Sequence, residues 1–376
     1  SAATRINKDG LIETVASGKS RLNYPLIDGV VNGCPSHLLE PERRNRIIYT
    51  EDFDNAAWGK TNTTINSNQA ISPNGTLNAD KLVENSSNTS HYLQETITTT
   101  SGIDYTFSVF VKKSERSIIR MSRAGGSTAV SFDVNNLTFL NSGSGEGKIE
   151  SFKNNWVKCS FTFPTNVVST NLRIELQTIQ GSAIQSYQGD GASGVYIWGA
   201  QLEEGSYPTS YIPNYGTSAG ITRSAETANG AGDASTFNDS EGVLMAEISA
   251  LANGGISRRI SLNDESGTVN NRVSLELDEN LNTIKVFMVS NSVLVGNITI
   301  TNIDQGQNNK IAIKYNISSL DLYVNGFLKD TDNTISSMPI GLSSLYFSEA
   351  EGSFDFYGST KQLQYFDSAL NDSDLE

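Results

Sequence analysis

Histidine and cysteine are nearly missing from this chain, and their scarcity removes several chemistries at once. Only His37 and His91 occur in 376 residues, which argues against a histidine-based metal centre and against Ser–His–Asp catalysis. The two cysteines, Cys34 and Cys159, stand far apart and match no zinc or redox spacing. Two unpaired thiols, at least one of them buried, are the expected state, with one long-range disulfide as the alternative. Basic residues are also short: 27 Lys and Arg face 41 Asp and Glu, for a formal charge of −14. Nucleic acid and anionic membranes both demand a basic patch that releases counterions, so neither is an expected partner. No apolar run approaches the ~18 residues that a membrane-spanning helix needs, and the start carries no leader-peptide pattern. The chain opens on Ser1, so an upstream segment is expected.

What the chain does have is glycine, asparagine, serine and threonine in quantity. The apolar share of 37% with 32 glycines implies short strands separated by many turns. The length suits two domains of roughly 150–200 residues. The acidic residues are scattered and read as a solvated surface.

Residues 1–45 are irregular, with Pro25, Pro35 and Pro41 and a charge cluster at Glu42, Arg43, Arg44 and Arg46. Proline removes a ladder donor, so this stretch is expected to be an extended arm or linker. Its apolar groups (Leu11, Ile12, Leu22, Leu26, Ile27) lack a core pattern and are expected to drive trimerisation or docking on a neighbouring chain.

From 46 to 213 the hydrophobic period is two. Tyr105, Phe107, Val109 and Val111 fall on one face, with Thr106, Ser108 and Phe110 on the other. Leu172, Ile174 and Leu176 alternate with Arg173, Glu175 and Gln177, the pattern of a half-buried antiparallel strand. Turn-formers intervene at SPNG (72–75) and SGSGEG (142–147). The second lacks the Lys-Ser/Thr of a phosphate loop and reads as a hairpin connection. Residues 214–240 shift to Gly, Ala, Ser and Thr and read as a linker. Strand patterns resume over 241–376 in GVLMAEIS, RVSLELD, TIKVFMV, KIAIKYNI and LDLYVNGFLKD. The Asn325–Gly326 pair predicts a type I′ hairpin. The expected fold is therefore all-β: two tandem antiparallel β-sandwich (jelly-roll) domains preceded by an extended N-terminal arm.

These residues carry a resemblance. SAATRINKDGLIETV, CPSHLLEPERRN and IIYTEDFDNAAWGK resemble the N-terminal part of a bacteriophage tail fibre or tail spike architecture. ADKLVE, YTFSVFVKK, NNWVKCSFTF and WGAQLEEGSYPTSYIPNYG resemble the carbohydrate-binding-module-like jelly roll that follows in such proteins. From Glu241 the chain resembles a laminin-G/concanavalin-type sandwich, KYNISSLDLYVNGFLKD being its best marker. The resemblance implies a receptor-binding virion protein, extracellular on the tail or fibre and commonly trimeric. Its implied partners are other virion proteins and a host surface polysaccharide. No catalysis and no cofactor are implied.

Saccharide recognition favours exposed aromatic rings, because one face of a pyranose is apolar enough to stack on them. Trp156 and Trp198 lie inside strand patterns and are expected in the core. Trp58 lies in a loop-like stretch and stays a ligand-binding candidate with Tyr92, Tyr187 and Tyr215, which with Tyr207 and Tyr211 are the loop or edge tyrosines. Glu276 and Asp278 are two apart on one strand face, but position 280 is Asn, so the third carboxylate of a concanavalin-type glycosidase is missing. They read as a solvent-facing polar edge. Asp264/Glu265 and Asp330/Asp332 are oxygen-rich pairs that a structural Ca²⁺ would use, though none has EF-hand spacing. Two rival readings stand beside the glycan-binding fibre: a virion spacer or decoration without glycan binding, and a polysaccharide depolymerase with an inter-subunit site.

Overall fold

The structure, a computed structural model, describes residues 2–124, 128–264, 269–349 and 353–375. Its sheets are built from antiparallel strand pairs, and the one α-helix among the described residues is the four-residue turn Asp372–Leu375. No helix there is long and apolar enough to cross a membrane. The chain separates into two compact units, one of residues 1–35 and 42–224, the other of residues 36–41 and 225–376.

In the first unit two six-stranded sheets face each other. One runs Glu146–Phe152, Trp156–Pro164, Asp104–Lys113, Gly194–Glu204, Leu77–Glu84, Thr63–Ile71. The other runs Thr138–Ser142, Ala129–Asp133, Ile118–Arg123, Ser169–Gln177, His91–Thr98, Gly59–Thr61. The period-two faces read from sequence make the core. Tyr105, Phe107, Val109 and Val111 pack with Cys159, Phe161, Phe163, Leu172, Ile174 and Leu176. The opposite face of the first sheet carries a second, smaller core of Phe110, Trp156, Trp198, Tyr211 and Ala79, closed by Ile12. Both strand tryptophans are thus buried on the outer face, under cover that includes the N-terminal segment. Cys159 is buried and Cys34 exposed, both free; burial pushes the Cys159 thiol well above its ordinary value.

The segments read as arm and linker are paired chain. Leu26–Ile27 and Val30–Val31 form a small hairpin, and Arg43–Asn45 pairs with Ile221–Arg223. In the second unit Ser36–Leu39 joins Gly358–Phe366, and Asn229–Ala231 joins Leu342–Tyr346. Pairings of two or three residues satisfy backbone donors and acceptors without leaving a hydrophobic period to read.

The SGSGEG connection is not a hairpin. Thr138–Ser142 and Glu146–Phe152 belong to opposite sheets, so the loop crosses the sandwich. Glycine is needed at 145 because a Cβ there would stand 2.7 Å from the Ala129 carbonyl oxygen and 2.8 Å from the Phe161 ring.

The second unit is also a sandwich. One sheet is built on Asn229–Ala231, Leu342–Tyr346, Arg258–Asp264, Arg272–Leu277, Ile284–Ser290 and Val293–Ile300. The facing sheet contains Ser36–Leu39, Gly358–Phe366, Glu241–Ala250, Asn309–Asn316, Leu320–Val324 and Phe327–Asp332. Leu244, Ala246, Ile260, Leu275, Val286, Ile311 and Leu322 lie in the core between them. The turn joining Leu320–Val324 to Phe327–Asp332 has φ of 54° at Asn325 and 80° at Gly326, the two left-handed positions a type I′ turn requires.

Candidate functional site

Segments 47–51 and 211–217 zip together at one edge of the first unit. Thr50 N–H donates to Asn214 O (3.1 Å) and Gly216 N–H to Ile48 O (2.9 Å), and Tyr49 bridges Tyr215. Asn214 is buried and locks the turn. Its Nδ2 donates to Ile47 O (2.9 Å) and Thr217 O (3.0 Å), while its Oδ1 accepts from Thr217 N (2.8 Å). Gly216 adopts φ 114°, with an added Cβ only 3.3 Å from the Tyr49 ring, so no other residue fits here without strain.

This clamp sets Tyr215 on the surface, 72% exposed, with its phenol end turned inward. The hydroxyl donates to Glu51 Oε1 at 3.0 Å. Tyr211 donates to the same oxygen at 2.9 Å, and Asn78 Nδ2 to Oε2 at 2.8 Å. Burial raises the Glu51 pKa against the opposing hydrogen bonds from Tyr211 and Tyr215. Partial burial, then the Glu51 charge, raises that of Tyr215. The arrangement is an exposed aromatic face whose hydroxyl is fixed by a carboxylate that Asn78 and Tyr211 also hold. A ring held this way loses little freedom on binding.

The other expected residues do not converge on it. Trp58 is corrected as a ligand platform: it is 1% exposed, its ring lies 5.1 Å from that of Phe53, and its Nε1 donates to Tyr49 O at 2.9 Å. It supports the segment beneath Tyr215 instead of meeting a ligand. Tyr187 is half-buried, and its hydroxyl donates to Glu84 Oε2 at 2.7 Å. Arg116 grips the same carboxylate at 2.9 and 2.6 Å. Tyr92, half-buried, carries the Arg173 guanidinium 4.3 Å from its ring centroid, and Arg173 Nε donates to Gln94 Oε1 at 3.0 Å. One face of that ring is therefore already taken. Glu51 and Asn78 escaped the sequence reading because nothing local links positions 51, 78 and 215.

The motif WGAQLEEGSYPTSYIP serves the fold. Glu203 is buried and accepts from Gln201 Nε2 (2.7 Å), Thr209 N (2.9 Å) and Thr209 Oγ1 (2.6 Å). Ile212 N–H in turn donates to Gln201 Oε1 at 2.7 Å. The motif closes on itself.

In the second unit Glu276 and Asp278 are not solvent-facing. They are 3% and 1% exposed within a ladder of ion pairs. Arg259 reaches Glu276 (2.5 Å) and Glu349, and Lys285 reaches Asp278. The Arg259 guanidinium also lies 3.9 Å from the Phe354 ring centroid, so the sheet's outer face is partly roofed. Burial pushes the Asp278 carboxyl up, but hydrogen bonds from Lys285 and Asn280 outweigh it and hold the group at about 2. A general acid needs the opposite shift.

Asp332 accepts from Asn297 N (2.9 Å) and from Thr334 N and Oγ1 (2.9 and 2.6 Å), and Asp330 from Thr331 N (2.9 Å). Asp264 accepts from Asn271 at 3.0 Å; Glu265 lies outside the described residues. Among the described residues no three His, Cys, Asp or Glu side chains converge as a metal set.

No family model matches the chain, and no curated protein is similar to it. Among solved structures, the CBM40 of Ruminococcus gnavus IT-sialidase is 15% identical with a TM-score of 0.33, covering 39% of this chain and 91% of that one. The mouse laminin alpha1 chain, domains LG4-5, is 8% identical with a TM-score of 0.26, covering 92% of this chain and 95% of that one. A SAP-like pentraxin from Limulus polyphemus is 12% identical with a TM-score of 0.30, covering 39% and 72%.

Proposed function

We propose that this chain is a non-catalytic glycan-binding protein that meets a saccharide at Tyr215. The observation that carries the reading is an exposed aromatic ring whose hydroxyl is pinned to Glu51, beside the Asn78 amide. Exposed, rigid aromatics suit a pyranose. The absence of catalysis is supported by the ion pairs that hold Glu276 and Asp278, the same-face carboxylate pair singled out from the sequence.

The tail-fibre part of the proposal rests on the sequence resemblance. In it the chain is a receptor-binding virion protein on a phage tail or fibre, extracellular and homotrimeric, held by other virion proteins and directed at a host surface polysaccharide. Exposed Leu22, Ile27 and Val30 offer apolar surface for a neighbouring chain.

A glycan array with the wild-type chain and Tyr215→Ala tests the binding site. The expected result is a saccharide signal that Tyr215→Ala abolishes while the fold is kept. No signal on any glycan would favour the spacer reading, and reducing-sugar release from host capsule would favour the depolymerase. Antibody labelling of intact virions, read by electron microscopy, tests the location.

A further inference from the structure

A cleft of about 550 Å³ opens in the first unit between the Val134–Leu137 turn, the strand end at Lys112 and Lys113, and the segment around Phe152. Its volume falls in the range of sites that take one or two small rings. Its lining includes apolar Leu137 and Phe152 and cationic Lys112 and Lys113. Neither Lys112 nor Lys113 forms an ion pair among the described residues, and Lys113 Nζ donates to Asn135 Oδ1 at 2.9 Å. Asp28 is the carboxylate on the lining, so the cleft keeps a net positive charge in a chain of −14.

Backbone strain gathers here as well. Asp28, Leu137 and Asn155, with φ of 50°, 54° and 62°, all line the cleft. Asp and Asn tolerate the left-handed region, but leucine does not do so freely. Leu137 sits there at a turn tip, 42% exposed, where a glycine would fold more easily. Strained, exposed apolar residues of this kind gather at ligand sites. The tip of the Leu26–Val31 hairpin, at Gly29, rests on the Phe152 carbonyl: an added Cβ would stand 2.4 Å from that oxygen. Beyond it a second hollow of about 390 Å³ shares Asp28, Ser151 and Phe152 and adds Tyr24 and Glu150, whose carboxylate is paired with Lys148 at 2.9 Å, so this hollow suits an uncharged ring.

We propose that this cleft is a second saccharide site, selective for a hexuronate. Lys112 takes the sugar carboxylate, Leu137 and Phe152 take the apolar ring face, and Asn135 and Asn155 reach the hydroxyls. The adjoining hollow holds the neighbouring ring, so the ligand is at least a disaccharide. A cationic head together with apolar side chains fits this chemistry, because a uronate carries one charge on a ring whose C–H face is apolar. The site shares no residue with the Tyr215 platform and does not rest on it.

The test is calorimetric titration of the full chain with hexuronate-containing oligosaccharides and their carboxyl-reduced counterparts. Lys112→Gln, Leu137→Gly and a second-unit control, Lys329→Gln, are measured in parallel. An acidic oligosaccharide should bind and its reduced form should not. Lys112→Gln should weaken binding about tenfold or more, and Leu137→Gly roughly five- to tenfold with an unchanged or raised melting temperature. Lys329→Gln, which removes the same charge elsewhere, should bind as wild type. Equal binding of acidic and reduced sugars, wild-type affinity in Lys112→Gln, or no binding by any acidic member overturns the proposal. The Tyr215 site fails separately, if Tyr215→Ala keeps its array signal.

Discussion

Tyr215 and Glu51, 164 residues apart, are joined by a 3.0 Å hydrogen bond that leaves the tyrosine ring standing in solvent. The same carboxylate oxygen is held from the buried side by Tyr211. One acceptor therefore ties a surface ring to the small core around Trp198. Removing the ring and removing only the hydroxyl should have different effects. Tyr215→Ala should lose saccharide binding by more than about tenfold. Tyr215→Phe keeps the face but frees it, and should lose a few-fold at most. Titration of an array-identified glycan into both variants checks this, and equal affinity for all three proteins would remove Tyr215 from the site.

Glu95 gives a pH dependence with a definite sign. It is buried, its Oε2 has no partner, and burial raises its pKa from 4.5 to about 7 against one backbone hydrogen bond from Ile48. The folded state thus holds a proton between pH 4.5 and 7 that the unfolded chain has released. Stability from this group is full below pH 4.5, declines through that window and levels above pH 7. Glu95→Gln should remove the decline. Its advantage over wild type, read from urea unfolding, should grow from pH 5 to pH 7 and approach about 3 kcal/mol. A difference that stays constant with pH would contradict the assignment.

Arg120 and Glu175 form a buried pair on the outer face of the second sheet, with Arg120 Nη1 2.9 and 2.7 Å from the two carboxylate oxygens. Ser122 Oγ adds a third hydrogen bond at 2.5 Å. Arg120→Ala leaves the carboxylate buried and uncompensated, and should cost about 3–5 kcal/mol. The double change Arg120→Met with Glu175→Leu should cost much less, because it removes both desolvation penalties. Denaturant midpoints of the two variants decide the point; equal losses would mean the pair's worth lies in packing.

Trp156 and Trp198 are expected to be structural. Trp156 Nε1 donates to Ile71 O at 2.9 Å, and Trp198 packs 4.7 Å from the Tyr211 ring and 5.4 Å from Phe110. Truncating either to alanine should cost about 3–5 kcal/mol, seen as lost soluble expression or a lowered melting temperature. Tyr215→Ala should stay within roughly 0.5 kcal/mol of wild type. A Trp198→Ala chain that melts as wild type but no longer binds glycan would transfer the site to Trp198.

The sequence by itself determined the all-β class, because a period of two is written residue by residue along each strand. It separated Tyr105, Phe107, Val109 and Val111 from Phe110, and it placed the Asn325–Gly326 turn, whose φ values only Asn and Gly adopt cheaply. It also identified Tyr215 as worth watching, though not above Trp58, Tyr92 or Tyr187. What covers each face was decided by tertiary structure alone. Period shows which way a side chain points but not what lies over it, and cover comes from chain far away in sequence. Ile12 helps close the small core over Trp156 and Trp198, and Phe354 lies over Arg259. Glu276 and Asp278 were therefore misread as a wet edge, and Trp58 was kept as a ligand candidate although it is buried. Glu51 and Asn78 could not be found at all, since a loop carboxylate at 51, a strand amide at 78 and a tyrosine at 215 meet only after folding brings Asn78 and Tyr215 to the two oxygens of Glu51.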